Sequence, residues 1–223
     1  MADFSDIIQK IIIWAPGILF AITMHEWAHG FMASRFGDHT AAMMGRLTLN
    51  PIPHIDPVWT IMVPAVLLVV TSSMGHPFVI GGAKPVPINP RNFRGNLRNA
   101  LFWVSFAGPL MNLLLALFCA MMMHGVALLP DYFARPLAMM LIAAISMNVL
   151  LAVFNMMPIP PLDGGRVAVA LLPAPLDRAL ARLEPMGMVI IVMLIFTGLL
   201  GAILWPLMSM LSDFYFSVAG LKI

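Results

Sequence analysis

Residues 21–31 read AITMHEWAHGF. His25, Glu26 and His29 stand inside a run that is otherwise mostly apolar. The run extends over 7–36 and reads as one long helix, bent at Pro16-Gly17 and ended by Gly37-Asp38. At about 1.5 Å per residue such a helix crosses a hydrocarbon core of about 30 Å with turns to spare. Ionisable side chains are costly at that depth, and their presence marks a functional site.

The rest of the composition agrees with a membrane setting. The chain has 223 residues, of which 61% are hydrophobic and 10% charged, with a mean hydropathy of +0.94. Soluble domains carry about a quarter charged residues, so a soluble enzyme with a greasy core is excluded. The formal net charge is only +2. Most basic residues fall between apolar runs, which points to lipid headgroups and argues against nucleic acid. The single cysteine, Cys119, allows no intrachain disulfide and no cysteine-based metal site; it reads as a small buried hydrophobe. The 21 methionines read as soft packing between helices. The opening MADFSDIIQK lacks the basic n-region and cleavage site of a signal peptide, so the first helix is expected to be retained.

Further along, the alternating piece Gly45 to Asn50 is a candidate strand, broken by Asn50-Pro51 and Pro53. Residues 57–83 are apolar but interrupted at Pro64 and at 71–77, TSSMGHP. The Pro/Gly-rich, basic stretch 81–98 reads as a surface segment. Spanning helices are expected at 99–124, 136–157 and 186–211, with a short apolar helix at 167–172 and a polar connector at 177–184. Between the third span and the short helix, Pro158, Pro160 and Pro161 forbid a regular helix. The expected fold is an all-α polytopic membrane protein of about four to six transmembrane helices. It has a short strand or loop region beside the first helix and a proline-broken helix carrying Asp163. No internal repeat or separate soluble domain is evident, so 1–223 reads as a single domain.

His25-Glu26-x-x-His29 is an H-E-x-x-H motif. On a helix, residues i and i+4 lie one above the other, so both imidazoles reach one ion while the glutamate stands beside it as a base. A catalytic zinc needs a third protein ligand and an open position. Asp163 is the strongest candidate, because it follows a proline-broken helix and precedes Gly164-Gly165; it also suits a helix N-cap. His54 and Asp56 are weaker candidates.

The pattern N-x-x-P-x-P-x-L-D-G, made by Asn155, Pro158, Pro160, Leu162, Asp163 and Gly164, joins the H-E-x-x-H of a spanning helix. With GRLTLNPIPHIDP (45–57), GGAKPVPINPRNF (81–93) and AGPLMN (107–112), the chain resembles the site-2 protease family of intramembrane zinc metalloproteases (peptidase family M50), in its compact bacterial branch. The matches cover most of the chain, with no inserted PDZ or appended regulatory domain; Pro161 is an extra proline that leaves the spacing intact. The resemblance implies one zinc ion per chain held by His25, His29 and Asp163, and Glu26 as catalytic acid/base. It implies a substrate-binding role for Asn155, with Pro158 and Pro160 beside it. His54 is an auxiliary candidate, either assisting proton transfer or pinning a loop. The implied activity is hydrolysis of peptide bonds in or near transmembrane segments of single-span or membrane-anchored proteins, in the bacterial inner membrane. A metal-ion transporter using the same histidines, or an inactive relative that only binds membrane proteins, is the alternative; a glutamate set beside a closed ligand set favours the protease.

If the late part of the first helix and the end of the third clear span share one ion, those two helices run in the same direction. Helix 99–124 then supplies the one crossing between them, and 57–83 makes no net crossing, as a re-entrant hairpin turning near Thr71–Pro77 would. In that arrangement only Lys10, Arg135 and Lys222 of the 12 basic residues lie on the outer side, and the zinc site faces the cytoplasm. A full crossing by 57–75 would give a weaker bias, eight against four.

Overall fold

A computed structural model of the chain describes residues 4–63, 66 and 81–221. Its first helix, α1 (Phe4–Arg35), carries the H-E-x-x-H motif in its last third and contains Pro16. A four-residue helix, α2 (Thr40–Met43), follows. Then come α3 (Leu97–Val126) and α4 (Asp131–Asn155). Asp163 opens α5 (Asp163–Leu171), and the chain continues through α6 (Leu176–Ala181), α7 (Glu184–Phe196) and α8 (Leu199–Val218). Four of these, α1, α3, α4 and α8, are long and apolar enough to span a membrane. Among the described residues the fold is all-helical, that of a polytopic membrane protein, as the apolar composition leads one to expect.

The expected strand at 45–50 is a bent loop, and the described residues contain no strand. Local side chains take the backbone instead. Thr48 Oγ1 accepts from the Asn50 N–H and Asn50 Oδ1 from the Ile52 N–H, each at 3.1 Å. Such short-range bonds compete with a ladder. The single span expected at 186–211 is two helices. Gly198, at φ 73°, sits between α7 and α8 in the left-handed region that glycine tolerates. Apolarity runs unbroken across that join, which hides it from a hydropathy reading. The connector expected at 177–184 is largely helical, taken up by the short α6 and the start of α7.

Helix directions follow from their neighbours. Along α1, Gly17 lies against Ala144 of α4, and His29 lies against Asp163 just beyond the end of α4. The two helices therefore run in parallel. Along α3 the order reverses, with His25 at Asn112 and His29 at Val104. The Gly17–Ala144 approach uses the small residues that let membrane helices come close where lipid offers no hydrophobic drive. Between α1 and α3, the Arg94 N–H donates to the Phe36 carbonyl at 2.7 Å. The connection 37–93 thus leaves and returns at one end of the bundle, making no net crossing. The hairpin turn expected near Thr71–Pro77 lies outside the described residues.

Asp38 ties this connection together. It is fully buried, and its carboxylate accepts from the Asn89 N–H at 2.7 Å, from Asn92 Nδ2 at 2.9 Å, and from the N–H and hydroxyl of Thr40. Burial pushes this carboxyl up, but the bonds from Thr40, Asn89 and Asn92 outweigh it and hold it below the ordinary value. A depressed carboxyl stabilises the fold above its unfolded pKa of about 4, and that contribution fades as pH falls toward its folded value. Thermal unfolding of wild type and Asp38→Asn in detergent should therefore differ most at neutral pH, wild type being the more stable. The gap should narrow below about pH 4; a gap that is constant with pH would refute this role.

Candidate metal centre

Nε2 of His25 and Nε2 of His29 lie 3.0 Å apart. Asp163 Oδ2 is 3.2 Å from the first and 3.3 Å from the second. Both imidazoles are buried. The far nitrogens fix what the near ones present. His29 Nδ1 is 2.7 Å from the Val104 carbonyl, which can only accept, so Nδ1 carries the proton. His25 Nδ1 is 2.6 Å from Asn112 Oδ1 and donates to it. Both Nε2 atoms then present lone pairs to each other and to a carboxylate. Three electron-rich atoms facing one point repel unless a cation or proton sits among them. Zinc bonds of about 2.0–2.2 Å at tetrahedral angles place ligand atoms about 3.3–3.6 Å apart. The observed spacings of 3.0, 3.2 and 3.3 Å lie at or just below the short edge of that range, so a small spreading of the three groups would seat the ion, and two imidazoles with one carboxylate are a suitable donor set for zinc.

Each element has a local reason for reaching this point. The i, i+4 spacing stacks the histidines on one face of α1. Asp163 arrives because Met156–Leu162 folds back tightly, with the Leu162 N–H bonded to the Ile159 carbonyl at 2.9 Å and the Gly165 N–H to the Leu162 carbonyl at 3.0 Å. Gly164 and Gly165 permit the fold. A Cβ on Gly164 would press on the carbonyls of Met156 and Met157, and one on Gly165 on the backbone of Ile159 and Pro160. Gly187 of α7 likewise admits the Pro160 carbonyl. Pro109 removes the N–H that would bond the Ser105 carbonyl, loosening α3 where Val104 and Gly108 meet the histidines.

A cavity of about 640 Å³ opens on this cluster, a size typical of ligand sites. His25, Glu26, His29 and Asp163 line it together with Asn155 and Pro160. The Glu26 carboxylate is half-buried, and its Oε2 accepts the Val86 N–H at 2.7 Å. Val86 belongs to a stretch anchored on both sides: the Lys84 N–H donates to the His54 carbonyl at 2.9 Å, and the Asn89 N–H donates to Asp38 Oδ2 at 2.7 Å. Asn155 ends α4 and its Nδ2 bonds back to the Leu151 carbonyl at 3.0 Å. Pro158 is exposed and is not part of the cavity wall. His54 is also absent from that wall. It is fully buried, with Nε2 3.1 Å from the Thr48 carbonyl.

The parts played by Gly108 and Val86 do not stand out from residue-by-residue reading. Asn112 and Asn148 carried a signal of their own, as amides inside apolar spans. Gly108 and the Val86 N–H carried none, because a missing Cβ and a backbone donor look the same everywhere in a sequence.

The fold and this cluster define a polytopic membrane protein with a His-His-Asp set competent to hold a metal. The chain belongs to peptidase family M50. Residues 130–198 match the family described as "Peptidase family M50", a span that includes Asp163. The chain is 38% identical over 197 residues to "Putative zinc metalloprotease YwhC" of Bacillus subtilis (strain 168), covering 86% of this chain and 84% of that protein. It is 32% identical over 207 residues to "Putative zinc metalloprotease Rip2" of Mycolicibacterium smegmatis, covering 91% of this chain and 74% of the relative. No solved structure matches. Metalloprotease is thus the functional class of this chain.

Proposed function

We propose that the protein is an intramembrane zinc endopeptidase of the H-E-x-x-H type that cuts membrane proteins within or near their transmembrane segments. The observation that carries the reading is the convergence of His25 Nε2, His29 Nε2 and Asp163 Oδ2 within 3.3 Å of one another, with Glu26 in the same cavity. Those three residues would hold one zinc ion, which supplies an activated water at neutral pH and a Lewis acid for the scissile carbonyl. Glu26 accepts the proton of the attacking water and returns it to the leaving amine nitrogen as the C–N bond breaks. The Val86 N–H holds Oε2, leaving Oε1 to exchange the proton. The products are a carboxylate and an amine, so the balance closes with water alone. The side chain of Asn155 and the apolar wall of Val86, Ile88, Val104 and Val169 receive an unwound, extended substrate segment.

The basic residues of the connection 37–93 share one end of the bundle with the cluster, which supports a cytoplasmic-facing site in a bacterial inner membrane. The substrate class is a single-span or membrane-anchored protein.

Zinc removal tests the reading. Protein purified in detergent should carry about one zinc per chain and cleave a model single-span substrate. Chelation should abolish cleavage and zinc should restore it. Metal flux into liposomes by a protein that cleaves nothing would overturn the protease in favour of a transporter.

A further inference from the structure

Asn112 is fully buried in α3 and has no charged neighbour among its bonds. Its Nδ2 faces two acceptors, the Ala21 carbonyl at 3.3 Å and Asn148 Oδ1 at 2.9 Å. Asn148, also buried, donates through Nδ2 to the Ala144 carbonyl at 2.8 Å. These contacts leave no freedom in either amide. The Ala144 carbonyl requires the NH₂ of Asn148, so Asn148 Oδ1 must point to Asn112. Two acceptors then require the NH₂ of Asn112, so its Oδ1 must point to His25. An acceptor 2.6 Å from His25 Nδ1 puts the proton there and leaves Nε2 bare.

We propose that Asn112, aimed by Asn148, is a positioning residue that locks His25 in the Nδ1–H form, with its ring turned toward Asp163. The chain Ala144 carbonyl–Asn148–Asn112–His25 passes from α4 through α3 to α1, so the packing of the three helices sets the ligand. If the amides served only as helix adhesive, their mutual bond at 2.9 Å would suffice. The remaining oxygen of Asn112 is instead given to a ring nitrogen of the H-E-x-x-H motif. His29 needs no such relay, because a backbone carbonyl holds it.

The inference rests on zinc binding at the His25–His29–Asp163 cluster, so its test reads zinc affinity and not cleavage. Wild type, Asn112→Leu, Asn112→Asp and Asn148→Leu are purified in detergent, stripped, and titrated with zinc against a chromophoric chelator, with unfolding temperature read in parallel on the metal-free proteins. Asn112→Leu should weaken zinc about 10–100-fold, the range for loss of a group supporting a metal-bound histidine. Asn112→Asp should bind zinc more tightly than Asn112→Leu, because one carboxylate oxygen still accepts the Nδ1–H, and less tightly than wild type, because the other faces the Ala21 carbonyl and Asn148 Oδ1. Asn148→Leu should give a smaller loss, since the Asn112 amide can then turn. Wild-type affinity in both leucine variants, whatever their unfolding temperatures, overturns the relay. If Asn112→Leu does not fold, Asn148→Leu decides: a loss of zinc affinity supports the relay, and wild-type affinity refutes it. A wild-type protein that binds no zinc would instead sink the proposed function.

Discussion

Glu26→Gln will keep its zinc and lose cleavage. Glutamine has the length of glutamate, and its carbonyl oxygen can still accept the Val86 N–H now bonded to Oε2 at 2.7 Å. None of the three converging ligand atoms belongs to Glu26, so the metal set is untouched. The variant loses only the capacity to take up a proton and pass it on. A positioned general acid/base is worth about 10²–10⁴-fold, and kcat should fall by at least that range with little change in KM. Zinc per chain and turnover of a single-span substrate check this. Cleavage at wild-type rate by the glutamine protein would remove Glu26 from the mechanism. Loss of zinc along with activity would instead make it a structural support of the site.

Gly108→Ala will lose the metal and the activity together. A Cβ at this position would press into Nε2 of His29 and lie 2.7 Å from Cε1 of both His25 and His29. The histidines cannot retreat, because their Nδ1 atoms are fixed to Asn112 and the Val104 carbonyl. Helix α3 cannot retreat either, since Ala107, Pro109 and Asn112 on either side are buried. One added methyl must therefore spoil the arrangement of the two Nε2 atoms. Zinc affinity should drop about 100-fold or more, at or beyond the upper end for disturbed support of a ligand. Gly201→Ala is the matching control, because a Cβ there meets nothing within 4 Å. Zinc titration and circular dichroism of both variants separate a lost site from a lost fold. Stoichiometric, tight zinc in Gly108→Ala would refute the close approach.

Glu26 was legible because H-E-x-x-H combines residue types and a helical spacing that together define a role. Gly108 was not, because its importance lies in an atom it lacks beside residues some 80 positions away. The same division runs through the fold. Long apolar runs announced the first, second and third spans, since lipid forces the backbone bonds of a crossing segment inside a helix. The break at Gly198 leaves no mark in hydropathy, because both α7 and α8 are apolar beside it. The strand expected at 45–50 failed for a local reason. Alternation was present, but Thr48 and Asn50 offered their own oxygens to the backbone.

The sequence by itself determined that this is a membrane protein, that an ionisable triplet lies inside a spanning helix, and that a proline-broken segment carries one aspartate. It also implied, through the need for parallel helices, that the connection before the second span returns to its own side. Tertiary structure alone decided which atoms meet. It turned both Nδ1 atoms outward to oxygens, brought Asp163 within 3.3 Å of the bared nitrogens, and threaded an amide relay from α4 to α1. The physical reason is range. Helix formation and burial in lipid depend on neighbours a few residues apart, whereas a metal site depends on tenths of an ångström between elements that only packing can set.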